Sequence, residues 1–379
     1  MKTILFISNG HGEDLNGSTV LAALRDRRPD WQLLAAPLVG EGQAYRKWAV
    51  PVVTATRKMP SGGFIYMDNR QLWQDLRAGL LTQTWQQMQA LRCQKVDGVV
   101  AVGDAVAIAG ALLTGAPFVS FLVSLSARYT GRLQLPFPAL SLLRHRRCRR
   151  ILTRDAFTAR LLQEQHYPAE FAGYPILDLL QVDRPTLQKP GDRPLVALLP
   201  GSRLPEAARN FTLLLQMVTQ VQPPTSFFAA PVPALYAQLP AIAPDWDWDG
   251  QTLRRERYEI HCPRQAFAEI LTQCDVAVGM AGTAIEQAVG LGKPVLQIPG
   301  EGPQFTYRFA EAQMRLLGPS VQTIGTGPAT PATLALAAQR LVDILGDRDY
   351  LAQCPQWGAE SVGTPGGTQR IVDRLVSVL

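Results

Sequence analysis

Short aliphatic runs recur along the chain, and a segment with helical periodicity follows almost every one. Such alternation leaves few folds open. A buried parallel strand reaches its neighbour only through a crossover of about a dozen residues or more, and a helix is what usually fills it. In the first half the pattern predicts strands at Thr3–Ile7, Gln32–Ala36, Val50–Thr54, Gly98–Val102, Phe118–Leu122, Arg150–Thr153 and Glu170–Phe171. It predicts helices there at Gly17–Arg27, Gln71–Arg92, Ala105–Thr114 and Ala156–Gln165. The stretch "QVDRPTLQKPGDRP" (Gln181–Pro194) has three prolines and no apolar period, so it reads as a linker. A second series follows, with strands expected at Leu195–Leu199, Thr225–Ala229, Tyr258–His261, Val276–Gly279 and Val295–Ile298. Its helices are expected at Glu206–Thr219, Gln265–Thr272, Thr283–Leu291, Phe305–Leu316 and Pro331–Leu345.

The fold class is therefore α/β, with two doubly wound parallel-sheet domains, at 1–182 and 195–360, and a last helix at 366–379 that folds back onto the first. A length of 379 residues suits two cores better than one. With 47% apolar and 18% charged residues the composition excludes a disordered chain. The most apolar window, Val99–Val123, is broken by Asp104, Gly110, Gly115 and Pro117, so it reads as strand, helix, strand rather than a membrane span. Five scattered cysteines without a CxxC pair speak against a disulfide framework or a zinc site. The N-terminus lacks a signal-peptide pattern, and reduced thiols in a cytoplasmic protein are the expectation.

In doubly wound sheets ligands sit beyond the carboxyl ends of the strands, where helix N-termini present amides to anions. Four strand–helix junctions carry unusual residues. The first, "SNGHGEDLNGS", places His11, Glu13 and Asp14 behind the opening strand, where a plain turn needs no histidine and no acids. In "LLPGSRLPEAARN" a strand ends in Gly201 and Ser202 with Arg203 behind them. Two readings stand: Ser202 capping a helix with Arg203 paired to Glu206, or Arg203 gripping phosphate. "VAVGMAGTAIEQAVGLGKPVLQIP" sets Gly282 and Thr283 at a helix start, Thr283 as its cap, with Glu286 one turn on to meet a ribose diol. "PGEGPQFTYRF" offers Gln304 to sugar hydroxyls with Glu301 close by, or is a solvated loop.

These motifs, with "FAGYPILDLL", resemble the lipid-A-disaccharide synthase family, B-type glycosyltransferases, and the match is nearest to a related branch in photosynthetic bacteria. The resemblance covers nearly the whole chain in order. It implies two Rossmann-like domains facing an interdomain cleft and a UDP-sugar donor held by Gly201, Ser202, Arg203, Gly282, Thr283, Glu286 and Gln304. It also puts Asp104 of "VVAVGDAVA" where the synthases carry an Asp thought to be catalytic. The opening turn departs from the synthase Gly-Glu-x-Ser-Gly-Asp, and only Asp14 fits it. An inverting transfer needs a base for the acceptor hydroxyl, and His11 is the first candidate, Asp104 the second, as a pair in which the carboxylate orients the imidazole. Glu13 is the further acid of that turn, and Asp14 is expected to cap the first helix. No metal and no cofactor is expected; "DWDWD" (Asp245–Asp249) reads as a solvated connection.

Residues 1–185 hold 22 Lys and Arg against 14 Asp and Glu, the remainder 15 against 17, so the first half is basic and suits an anionic partner. Trp73, Leu76 and Leu80 lie in a helix to which the resemblance assigns lipid handling, while its periodicity alone reads first as a stripe buried in the core. "LQLPFPALSLLRHRRCRR" (Leu133–Arg150) runs an apolar stretch into Arg144, Arg146 and Arg147, as a segment at a cytoplasmic membrane face would. Nucleic acid is not expected as a partner, because no recognised module surrounds the arginines. A lipid or glycolipid acceptor, a peripheral inner-membrane surface and a homodimer through the last helices are the expected partners. Two other readings share the fold: a UDP-N-acetylglucosamine 2-epimerase and a UDP-sugar-binding protein without turnover.

Overall fold

The structure is a computed structural model that describes residues 1–54, 80–182, 187–188, 191–222, 225–300, 302 and 305–379. The chain divides into two compact units, one of Met1–Pro175 with Pro365–Leu379 and one of Ile176–Thr364. In the first, the described elements run β1 (Thr3–Ser8), α1 (His11–Arg27), β2 (Gln32–Pro37), α2 (Gln43–Arg46), α3 (Leu80–Cys93), β3 (Gly98–Val102), α4 (Ala105–Thr114), β4 (Phe118–Leu122), α5 (Ala139–Leu143), β5 (Cys148–Thr153), α6 (Ala156–Glu164) and β6 (Ala169–Glu170). In the second they run β7 (Leu195–Leu199), α7 (Glu206–Val218), β8 (Ser226–Ala229), α8 (Pro233–Tyr236), α9 (Leu239–Ile242), β9 (Asp247–Trp248), β10 (Thr252–Arg255), β11 (Tyr258–His261), α10 (Phe267–Gln273), β12 (Val276–Gly279), α11 (Thr283–Gly290), β13 (Val295–Gln297), α12 (Tyr307–Leu317), β14 (Val321–Thr323), α13 (Pro331–Gly346) and α14 (Arg348–Ser361). The last helix, α15 (Gly367–Val378), returns to the first unit.

The first sheet is parallel, in the order β2-β1-β3-β4-β5-β6. Its strands are buried on both faces: Ile4, Leu5, Phe6 and Ile7 expose nothing, which is why they read as unbroken aliphatic runs. The chain turns one way from β1 to β2 and the other way from β3 to β4. Right-handed crossovers therefore put α1 and α4 on opposite faces, where α15 packs beside α1 and α3 beside α4. Arg374 of α15 donates to Glu170 at 3.0 Å, and Arg370 donates to the Ala172 carbonyl at 2.8 Å.

The second sheet has the order β14-β13-β12-β7-β8-β11-β10-β9, parallel except at one edge. There β11 has the bounds expected for it, and β9 and β10, which the sequence did not announce, join it in an antiparallel meander. "DWDWD" belongs to it: Asp249 is the turn residue, its carboxylate accepting from the amides of Gln251 and Thr252 and from Arg254. Helix α7 packs with α13, and α11 with α14.

Three expectations change, and one falls partly outside the described residues. Helix α1 begins at His11, not Gly17, since the extended Gly10 precedes it and the Asp14 amide already donates to the Gly10 carbonyl at 2.8 Å. Val50–Thr54 shrinks to a single bridge between Val52 and Ala35, where Pro51 has no amide to extend a ladder. Only Leu80–Cys93 of the helix expected at Gln71–Arg92 lies within the described residues. The division falls before Ile176, ahead of the expected linker, because Ile176 and Leu177 are buried in the second unit and Gln287 donates to the Ile176 carbonyl at 2.8 Å.

Candidate functional site

Each sheet has one place where successive crossovers depart in opposite directions, between β1 and β3 in the first unit and between β7 and β12 in the second. A crevice opens at such a point beyond the carboxyl ends. Both units build it with the same device. The strands β3 and β12 end in an identical Val-Ala-Val-Gly, Val100–Gly103 and Val276–Gly279, whose glycines take φ of +136° and +144°. A Cβ on Gly103 would overlap Asn9 Oδ1, and one on Gly279 would overlap the Leu199 carbonyl. Only glycine lets the neighbouring strand's exit come so close.

In the first unit Asn9 donates from Nδ2 to Asp104 Oδ1 at 2.6 Å. The same oxygen accepts the Val106 amide at 2.8 Å, so Asp104 is the cap of α4. The expected pairing of Asp104 with His11 is not among the described hydrogen bonds; Asn9 takes that place. His11 is exposed on the first turn of α1 with its ring against Gly40. Glu13 folds back so that its carboxylate covers Gly10 and its Cγ lies beside Gly103.

Asp14 does not cap α1. It is 3% exposed, and its Oδ1 accepts the Ser8 hydroxyl at 2.5 Å, which in turn accepts from Tyr45 at 3.0 Å. Tyr45 reaches Ser8 because Gly17 leaves room for its hydroxyl. Burial pushes the Asp14 carboxyl up from 3.8 to about 7, with the Ser8 bond pulling down and the Glu13 charge adding to the rise. Burial likewise raises the Tyr45 phenol. Nothing in the sequence spacing pointed to this trio, whose members lie on β1, α1 and α2.

In the second unit Gly201, at φ +93°, turns the chain out of β7 beside Phe305 and the Met280 carbonyl. Ser202 and Arg203 are exposed. Ser202 caps nothing, since α7 starts after Pro205 without a side-chain cap. Partial burial lowers the Arg203 pKa while Glu206 opposes the change. Asn210 donates to the Pro200 carbonyl at 3.1 Å and holds this loop from below. Helix α11 opens directly beyond β12, and its cap position is Gly282, not Thr283, with no side-chain bond. Thr283 is the exposed first helical residue, and Glu286 is half-buried in the first turn. Behind the turn stands a buried set that sequence reading missed: Gln313 Nε2 lies 3.0 Å from the Ala281 carbonyl and 3.4 Å from that of Gly282. Gln297 Nε2 donates to Gln313 Oε1 at 2.5 Å, and Thr323 donates to Gln297 Oε1 at 3.0 Å.

Glu301, Gln304, Trp73 and Leu76 lie outside the described residues, and Leu80 opens α3. Around the arginines, the leucines at 133, 135, 140 and 142 pack against the first unit's core, and Phe137 stands out, 93% exposed. Arg144 and Arg146 are exposed, Arg147 half-buried, and the Arg144 guanidinium lies 5.2 Å from the Tyr167 ring centre. Among the described residues no helix is long and apolar enough to cross a membrane, and no group of three or more His, Cys, Asp or Glu stands together as a metal site.

No protein-family model matches the chain. The fold is similar to that of solved B-type glycosyltransferases and UDP-N-acetylglucosamine 2-epimerases. Acinetobacter baumannii MurG has this fold with a TM-score of 0.61 at 14% identity, covering 100% of each chain. The Neisseria meningitidis UDP-GlcNAc 2-epimerase, solved bound to UDP-GlcNAc, has it with a TM-score of 0.54 at 12% identity, covering 99% of this chain and 100% of that one. In sequence the chain is similar to the lipid-A-disaccharide synthase of Thiobacillus denitrificans, 29% identical over 170 residues, which are 42% of this chain and 41% of that relative. The chain therefore spans less than half the length of that relative in the match.

Proposed function

We propose that the chain is a glycosyltransferase, akin to the lipid-A-disaccharide synthases, that moves a sugar from a UDP-linked donor to a lipid or membrane-associated acceptor with inversion and without a metal. The observation that carries this is the amino end of α11: it opens beyond β12 at the crevice with no side-chain cap, leaving its first amides and the positive end of its dipole for a diphosphate. Arg203, at the exit of the neighbouring strand β7, supplies a second positive group for the same anion. Glu286 takes the ribose hydroxyls.

In the transfer the acceptor oxygen bonds to the anomeric carbon as its proton passes to His11. The bond from that carbon to the diphosphate breaks, and UDP leaves with the electron pair, stabilised by the α11 amides and Arg203. Asp104 Oδ1 accepts from Asn9 and from the Val106 amide of α4, which supports a part for it in holding the β1–β3 exit; His11 is our first candidate for the base and Asp104 the second. Phe137 and the arginines at 144, 146 and 147 form the surface that meets lipid headgroups and acyl chains.

The test is calorimetry of the purified chain against UDP, UDP-sugars and other nucleoside diphosphates. Selective binding of UDP species is expected, weakened roughly ten- to hundredfold by Arg203→Ala, the size of a lost charge-assisted bond. Equal binding of all nucleoside diphosphates overturns the donor assignment. The similarity in fold to UDP-N-acetylglucosamine 2-epimerases keeps that activity as the second reading. It predicts conversion of UDP-N-acetylglucosamine with no acceptor present. His11→Ala should spare binding and abolish turnover under both, whereas a silent binder shows no turnover to lose.

A further inference from the structure

Gln297 exposes nothing and Gln313 only 5% of its surface. A buried amide costs free energy unless its bonds are made, and leucine at either place would avoid that demand. Here the bonds run head to tail in one direction: the Thr323 hydroxyl to the Gln297 carbonyl, the Gln297 amide to the Gln313 carbonyl, the Gln313 amide to the main-chain oxygens of Ala281 and Gly282. Aligned donors of this kind reinforce one another in a low-dielectric interior. The chain ends on the two peptides that lead into α11.

A trans peptide points its C=O and N–H in opposite directions. Fixing the oxygens of Ala281 and Gly282 towards Gln313 therefore turns the amides of Gly282 and Thr283 away from it, to the open side of the turn. We infer that Gln313, braced by Gln297 and Thr323, is a positioning residue that aims these two amides at the diphosphate of the donor. The inference rests on the donor-site reading above. Gly282 has no Cβ and no side-chain cap, and its carbonyl also accepts the Ile285 amide at 3.1 Å, so Gln313 supplements the helix there and acts chiefly on the Ala281 carbonyl, at 3.0 Å.

The experiment compares UDP with uridine by calorimetry on the full chain, for wild type, Gln313→Leu and Gln297→Met, with thermal midpoints recorded for each. Uridine shares the base and ribose contacts but has no phosphate to meet the turn. Gln313→Leu should lower UDP affinity about tenfold and leave uridine affinity unchanged. Gln297→Met removes only the brace and should lower UDP affinity roughly threefold, which keeps the comparison available if Gln313→Leu does not fold. If wild type prefers UDP and both variants keep the full UDP-to-uridine ratio, or lose both ligands in step, the positioning role is overturned. If wild type itself binds UDP no better than uridine, the donor-site reading has failed, and the inference falls with it.

Discussion

Replacing Asp14 with asparagine should stabilise the first unit at alkaline pH and leave it unchanged in acid. In the unfolded chain this carboxyl ionises near 3.8; in the folded chain burial keeps its proton to about 7. Between those values the folded state holds a proton that the unfolded state has lost. Stability is therefore full below the unfolded value, drains as pH rises through the window, and is lowest above 7. At about 1.4 kcal/mol for each step of one in pKa, the whole loss is on the order of 4 kcal/mol. Asparagine has the shape of the protonated acid, can still accept the Ser8 hydroxyl and never ionises. In a unit of about 190 residues each kcal/mol moves the midpoint by about 2–4 °C, so Asp14→Asn should melt roughly 8–16 °C above wild type near pH 8 and level with it near pH 4. Scanning calorimetry of both proteins across that range reads the difference. An offset that stays flat with pH would show that Asp14 does not titrate inside the fold near neutrality, and the reasoning from burial would be wrong.

Gly103→Ala and Gly279→Ala should each cost well over about 1 kcal/mol, because both glycines combine φ above +130° with an overlap at the new Cβ; melting curves that match wild type would refute the shared crevice geometry. Phe137→Ser should weaken binding to anionic vesicles without moving the thermal midpoint, since the ring is 93% exposed, and unchanged sedimentation with vesicles would remove it from the membrane surface. Arg374→Ala breaks a partly exposed pair with Glu170 and should cost only about 0.5 kcal/mol, measured by urea unfolding; a loss several times larger would mean that the pair holds α15 in place.

The strands were the most legible part of the chain. β3 and β4 fall where the aliphatic runs put them, because a strand buried on both faces has no polar residue to blur its ends. The start of α1 was harder to see. Gly12 and Gly17 look like turn residues, yet Gly17 is small to admit Tyr45, a reason that resides on another element. Strands β9 and β10 hide because they are short and carry Asp and Arg at an edge, whereas β11 was legible. Residue types at the crevices could be read from the sequence, but their partners could not. Asn9 and Asp104 stand 95 positions apart, and the bond between them exists only once β1 and β3 are neighbours. The Gln313 set shows the same limit, since glutamines on a helix and a strand give no period that marks them as joined.

The second unit is a continuous stretch, Ile176–Thr364, set inside a first unit whose last piece follows it. Leu379 at the end of that piece abuts Gly98, beside Ile4 of the opening strand. On the ribosome the order of completion is therefore the reverse of the order of appearance. The first unit's sheet emerges ahead of the second unit but lacks α15 until after it, when everything the inserted unit needs has already been made. Loss of α15 would injure the unit whose sheet precedes the inserted one, and the inserted unit should fold as a fragment on its own.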